Sequence, residues 1–119
     1  MQLLEKLEEE GWLQTVRLSD GSMKLAKELT SAVGRGEAEA IALALEKKQR
    51  LFMDDQKGRR VAELYRVETT TTLGLLFELL VKGALTKEDY RRNVKNYCSQ
   101  GWITSEVVQE FLDRGERFE

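Results

Sequence analysis

The chain has 119 residues, of which 41% are hydrophobic and 34% are charged, and its formal net charge is −2. This length and composition fit one soluble domain with a modest core and exclude a disordered chain. With no histidine and a single cysteine, catalysis by serine–histidine or cysteine–histidine pairs, zinc ribbons and iron–sulfur clusters are excluded. Carboxylates remain as the plausible catalytic groups.

The sequence contains neither a predicted membrane-spanning segment nor a recognisable secretory signal. The longest apolar run, Leu73–Phe77, is too short to span a bilayer and is followed by Glu78. Residues 1–12 lack the apolar region of a secretory signal. Cys98 has no second cysteine with which to form an internal disulfide. We therefore expect a cytoplasmic location.

The residue patterns alternate between helix and strand. In chain order, the first half predicts a helix stopped by Gly11, a strand over Trp12–Leu18, a helix closed by Gly34, a helix over Glu37–Lys48 and a strand at Leu51–Met53. The second half predicts a short helix capped at Asp55 or a neighbour, a strand over Val67–Thr72 and a helix over Leu73–Lys82. Two further helices are capped by Thr86 and Thr104, and the first of these stops at Gly101. This alternation predicts an α/β fold in which about three short parallel strands are covered by six to seven helices.

Acidic residues gather at two of these predicted boundaries. Glu37 and Glu39 open the central helix, and Asp54 and Asp55 follow the strand at Leu51–Met53. The carboxyl ends of parallel strands open into the crevice where α/β proteins bind ligands. Because carboxylates are preferred ligands of hard divalent cations, the pattern predicts a metal site. The alternative is structural, since the helix dipole alone favours acids in a first turn.

Periodicity separates the acidic residues from one another. Glu37 lies near the edge of the apolar arc of its helix, whereas Glu39 falls beside Glu46 on the opposite side. Glu37 is therefore the better candidate to point into a crevice. Neighbouring side chains at a strand end point to opposite faces, so Asp54 and Asp55 are expected to face different ways.

Basic residues follow the acidic strand end at Lys57, Arg59 and Arg60. A charge cluster on a helix is usually a solvated face. The functional interpretation is that these residues contact phosphates of a nucleic acid. A pI of about 5.4 argues against an extensive basic surface that would cover a nucleic acid.

Several motifs together resemble the PIN-domain superfamily. They are Gly-Glu-Ala-Glu-Ala-Ile-Ala-Leu-Ala at 36–44, Asp-Asp-Gln-Lys-Gly-Arg-Arg-Val-Ala at 54–62 and Thr-Leu-Gly-Leu-Leu at 72–76. The similarity is greatest to an uncharacterised prokaryotic branch related to VapC-type ribonuclease toxins. It implies a nuclease that uses Mg²⁺ or Mn²⁺ to cut single-stranded RNA. The resemblance implies catalytic roles for Glu37, Asp54 and Asp55, with Glu39 as a further metal ligand. Which of Asp54 and Asp55 matches the family's strand-end ligand depends on the alignment by one position, and we favour Asp54.

The chain also departs from the family pattern. PIN domains begin with a central strand that ends in an aspartate, and no such strand precedes Trp12. We therefore expect residues 1–119 to form a single, N-terminally truncated PIN-like domain of three layers. The enzyme or its incomplete C-terminal portion would then have a weak metal site and little ribonuclease activity.

The alternative function is a non-catalytic scaffold that acts through protein association. The open sheet edge left by a missing strand would favour a homodimer. The expected partners are therefore a second copy of the chain, single-stranded RNA and an antitoxin protein.

Overall fold

The computed structural model describes residues 2–100 and 103–118. Its elements are α1 (Leu3–Glu9), α2 (Asp20–Leu29), α3 (Arg35–Lys47), β1 (Leu51–Phe52), α4 (Gln56–Leu64), β2 (Thr69–Thr70), α5 (Thr72–Val81), α6 (Lys87–Cys98) and α7 (Ser105–Arg117). Seven helices in the described part of the chain and a parallel sheet confirm the predicted α/β architecture. The helix stop predicted at Gly101 lies outside the described residues.

The chain divides into two compact units, Met1–Gln49 and Arg50–Glu119. In the first unit, α2 packs against α3. Small and branched apolar side chains form this contact because they let the two helices approach closely. The buried ones are Ala26 and Leu29 on α2 and Ala38, Ile41, Ala42 and Ala44 on α3.

A carboxylate joins the beginning of α2 to the end of α3. Glu46 accepts hydrogen bonds from the hydroxyls of Ser19 and Ser22, the latter at 2.6 Å. Ser19 is also the N-cap of α2, since its Oγ accepts from the backbone N–H of Ser22 at 3.2 Å. The Glu46 carboxylate thus stabilises the N-terminus of α2, because it bonds to the N-cap residue and to a residue of the first turn.

The sheet of the second unit is short. Strands β1 and β2 are parallel, with Leu51 opposite Thr69 and Phe52 opposite Thr70. Backbone N–H groups of Leu51 and Met53 donate to the carbonyls of Glu68 and Thr70, each at 2.9 Å. Both strands lie inside the ranges predicted for them.

The strand predicted over Trp12–Leu18 is wrong. Residues 14–19 form no regular element, and the sheet of the described residues has two strands rather than three. The β-branched residues Thr15 and Val16 favour extended backbone, but a strand also needs a neighbour that supplies hydrogen bonds. Thr15 instead donates its hydroxyl to Glu8 of α1.

Three helices enclose the core of the second unit. Leu73, Leu80, Tyr90, Val94 and Val108 are its buried members, contributed by α5, α6 and α7. The hydroxyl of Tyr90 donates to the backbone carbonyl of Phe111 at 2.7 Å. This bond satisfies the polar end of a side chain that is only 1% exposed.

Local hydrogen bonds set the starts of these helices. Asp55, Thr71, Thr86 and Thr104 are the N-caps of α4 to α7, and each accepts from a backbone N–H three residues ahead. The caps predicted at Asp55, Thr86 and Thr104 are confirmed. None of the helices in the described ranges is long and apolar enough to cross a membrane.

Candidate functional site

A groove of about 810 Å³ lies in the second unit, at the carboxyl end of the sheet. Its walls include the end of β1, the starts of α4, α5 and α7, and the end of α6. Ligand sites of α/β proteins lie at this edge because strand ends and helix starts meet there. The ionisable side chains that line it are Asp54, Asp55, Arg59, Tyr97 and Arg114.

Asp54 is held in place by three hydrogen bonds. Its Oδ1 accepts from the backbone N–H of Thr72 at 2.7 Å, and its Oδ2 accepts from the Thr72 hydroxyl at 2.6 Å and from the Tyr97 hydroxyl at 2.7 Å. Thr72 is the first residue of α5, so the carboxylate also lies at the positive end of a helix dipole. The side chain therefore presents one fixed orientation to the groove.

These contacts keep the Asp54 carboxyl ionised. Partial burial raises the pKa of Asp54, but the hydrogen bonds from Thr72 and Tyr97 and the positive charge of Arg59 outweigh it, so the pKa lies below its ordinary value. Burial and the neighbouring carboxylate raise the pKa of Tyr97. The phenol thus stays protonated and remains a donor to Asp54.

Asp55 has a different role from its neighbour. Its Oδ2 accepts from the backbone N–H of Gly58 at 2.7 Å and caps α4. Both aspartates border the groove, but one carboxylate oxygen of Asp55 is already engaged in the hydrogen bond that caps α4. The preference for Asp54 as the ligand stays a prediction, and Asp54 is the aspartate that accepts hydrogen bonds from two residues of the site, Thr72 and Tyr97.

The predicted glutamates lie on α3 of the first unit. Glu37 has one oxygen, Oε2, that is shielded from solvent and has no hydrogen-bond partner among the described residues. Glu39 forms an ion pair with Arg35, with Nε and Oε1 3.3 Å apart, and its side chain is 47% exposed. Helical periodicity anticipated this difference between the two.

The three predicted basic residues separate on α4. Arg59 borders the groove and is partly buried, whereas Lys57 and Arg60 are exposed and do not border it. Positions three to four residues apart share a helix face, and adjacent ones do not. Only Arg59 is therefore placed beside the predicted acidic site of this unit.

The residues of the groove fit a divalent cation held by few protein ligands. In the ranges 2–100 and 103–118, no group of three or more acidic or cysteine side chains lies close enough together to hold a metal ion. Asp54 and Asp55 nevertheless border one groove, and the Oδ1 of Asp54 accepts a single hydrogen bond. Mg²⁺ is commonly bound by one or two carboxylates, with water and substrate phosphates completing its shell.

Comparison with known proteins identifies the family. A family model described as a PIN domain matches residues 1–117. The chain therefore belongs to the PIN-domain superfamily, as its motifs predicted, and to a nuclease-like fold family whose members generally use divalent metals. Comparisons with curated proteins and with solved structures gave no match.

The sequence did not predict the roles of Thr72 and Tyr97, which donate to Asp54, or of Arg114, which borders the groove. Thr72 had a signal, since it opens the Thr-Leu-Gly-Leu-Leu motif. Tyr97 and Arg114 had none, because they lie on α6 and α7, far along the chain from Asp54. Only packing of these helices brings them to the groove.

Proposed function

We propose that this protein is a PIN-domain ribonuclease that cuts single-stranded RNA with Mg²⁺ or Mn²⁺ held at Asp54 and Asp55. The observation that carries the proposal is the ionised Asp54 carboxylate, which is fixed by Thr72 and Tyr97 and borders a groove of about 810 Å³. Membership of the PIN superfamily supports the same chemistry.

Each side chain has a separate task in this proposal. Thr72 and Tyr97 orient Asp54 and keep it charged, so the oxygen that faces a cation does not have to reorganise during the reaction. Asp55 shares the cation while it caps α4. When bound, the metal supplies a nucleophile by lowering the pKa of its water. Arg59 contributes positive charge for the RNA backbone.

Two carboxylates give a weak site, and we therefore expect low metal affinity and slow cleavage. Glu37 and Glu39 are the remaining ligands implied by the family resemblance. The unpartnered Oε2 of Glu37 supports a role for this residue beyond helix stability, because a buried acceptor without a partner is costly.

The proposal is tested with Asp54→Asn, which keeps the size and hydrogen-bonding capacity of the side chain but removes its charge. Mn²⁺ binding is measured by calorimetry, and cleavage of a labelled single-stranded RNA is measured with Mn²⁺ and with EDTA. We expect Asp54→Asn to lose both metal binding and cleavage.

The matched control is Glu63→Gln on the exposed side of α4, which should behave as the wild type. Equal heats for the wild type and Asp54→Asn would remove the metal site. Cleavage that persists in EDTA would remove the metal-dependent mechanism.

A second candidate function is a scaffold that acts through self-association. Large apolar side chains of the first unit are exposed in the described structure: Leu3 by 63%, Trp12 by 81%, Leu13 by 40%, Val16 by 41% and Met23 by 55%. These residues all belong to the segment 3–23, and an exposed apolar surface is a common feature of protein–protein interaction sites. An antitoxin protein is a further partner for such a surface.

A further inference from the structure

Arg59 lies near enough to Asp54 for its charge to act on that carboxylate, yet it makes no direct contact with an anion among the described residues. It lies on α4, borders the groove, and forms no ion pair and no hydrogen bond through its side chain in the described part of the chain. Its Nε is fully shielded from solvent and unpartnered. A buried donor on a charged group is normally satisfied, so the Arg59 guanidinium has hydrogen-bonding capacity left for an anion that binds beside Asp54.

Arg114 is a second cation at the same groove, contributed by α7. Its guanidinium carbon lies 4.7 Å from the ring centroid of Phe111 and 6.0 Å from that of Phe77. Cation–π contact with these rings holds the guanidinium beside the groove. Its ion pair with Glu110 is on the surface, with both side chains about half exposed, and such pairs exchange readily for a better acceptor.

The backbone adds positive potential around these two side chains. The starts of α4, α5 and α7 all border the groove, at Gln56, Thr71 and Thr104. Each helix start carries a partial positive charge. The two aspartates of the groove already accept hydrogen bonds from those helix starts, so their negative charge is partly offset.

We propose that Arg59 and Arg114 form a phosphate-binding pair that holds the backbone of single-stranded RNA in the groove beside Asp54. The substrate class rests on the proposed function. Arginine presents paired N–H donors that match phosphate oxygens, and the two residues come from separate helices, so they act on the strand at two points. Lys57 and Arg60, although close in sequence, take no part in it.

The test measures binding without cleavage. A fluorescently labelled, eight-nucleotide single-stranded RNA is titrated in EDTA, and its anisotropy is followed at several salt concentrations. Arg59→Gln and Arg114→Gln should each weaken binding about tenfold, as expected for one charge-assisted contact. Each should also reduce the slope of log affinity against log salt by roughly 0.7, the value for one phosphate contact on a single strand.

The matched controls are Lys57→Gln and Arg60→Gln, which should change affinity less than about twofold. Arg59→Lys and Arg114→Lys keep the charge and the fold, and should retain the salt slope while losing part of the affinity. The pair would be overturned if Arg59→Gln and Arg114→Gln both kept wild-type affinity, or if all four glutamine variants, controls included, lost affinity equally. It would also be overturned if the wild type bound no RNA. RNA binding without metal-dependent cleavage would leave the pair intact and overturn the nuclease.

Discussion

Acidic residues of this chain differ in what their oxygens contact, and those contacts set their chemistry. Asp54 accepts from Thr72 and Tyr97, Asp55 caps a helix, and Glu46 ties two helices together through serine hydroxyls. Hydrogen bonds to the ionised form lower a carboxyl pKa. The residue type alone therefore does not show whether an acidic side chain is a candidate metal ligand, a helix cap or a contact between two helices.

Glu46 gives a prediction about pH. Hydrogen bonds from Ser19 and Ser22 hold the pKa of Glu46 below its ordinary value of 4.5. Because the folded-state pKa is depressed, its contribution to stability is present above the unfolded-state pKa and is lost as pH falls through the folded-state pKa. Glu46→Gln should therefore lower the melting temperature at neutral pH, and the difference from the wild type should shrink below about pH 4.5.

Thermal unfolding of both proteins between neutral and acidic pH measures this difference. Glu28→Gln on the exposed side of α2 is the control and should leave the melting temperature unchanged at every pH. A difference for Glu46→Gln that stayed constant down to pH 3 would show that its charge does not stabilise the fold.

At the scale of elements, the helices of the second unit are packed closely enough to require glycine at one point. Gly115 lies in α7 and is buried. A Cβ at this position would lie 2.6 Å from Cε2 and 2.8 Å from Cδ2 of Tyr90. The ring has no freedom to move away, because it is buried and its hydroxyl is bonded to Phe111.

Gly115→Ala is therefore expected to destabilise the protein. Alanine is the better helix former by about 1 kcal/mol, but overpacking a core costs about 1–3 kcal/mol, so a net loss should appear in urea unfolding. Gly36→Ala is the matched control, since a Cβ there has nothing within 4 Å, and it should gain up to about 1 kcal/mol. An increase in stability for Gly115→Ala would contradict the close contact between α7 and Tyr90.

At the scale of the whole molecule, exposed apolar side chains predict association. Trp12 of the first unit is 81% exposed, and Phe52 on β1 is 53% exposed. Tryptophan in a buried interface commonly contributes about 2 kcal/mol or more, which corresponds to roughly thirtyfold in Kd. We expect a homodimer at micromolar concentration that Trp12→Ser weakens by about that factor.

Light scattering coupled to gel filtration measures the oligomeric state. Leu64→Ser is the matched control because Leu64 is also 81% exposed but belongs to α4 rather than to the segment around Trp12, and it should leave the dimer intact. A wild-type monomer across this concentration range would remove self-association from the proposed functions.

Local signals in the sequence determined the helix boundaries and the family. Capping at Asp55, Thr86 and Thr104 involves a side chain and a backbone N–H three residues away, so a short stretch of sequence contains all the information needed. The PIN motifs and the acidic strand end are likewise contiguous stretches, which is why they could be recognised without coordinates.

Only the tertiary structure decided which predicted elements and side chains come together. The strand predicted at Trp12–Leu18 is not formed, because strand formation depends on a partner that periodicity does not specify. Tyr97 reaches Asp54 across 43 residues of sequence, and Arg114 joins the groove from the last helix. Contacts of this kind follow from how helices pack around a core, and no local pattern encodes them.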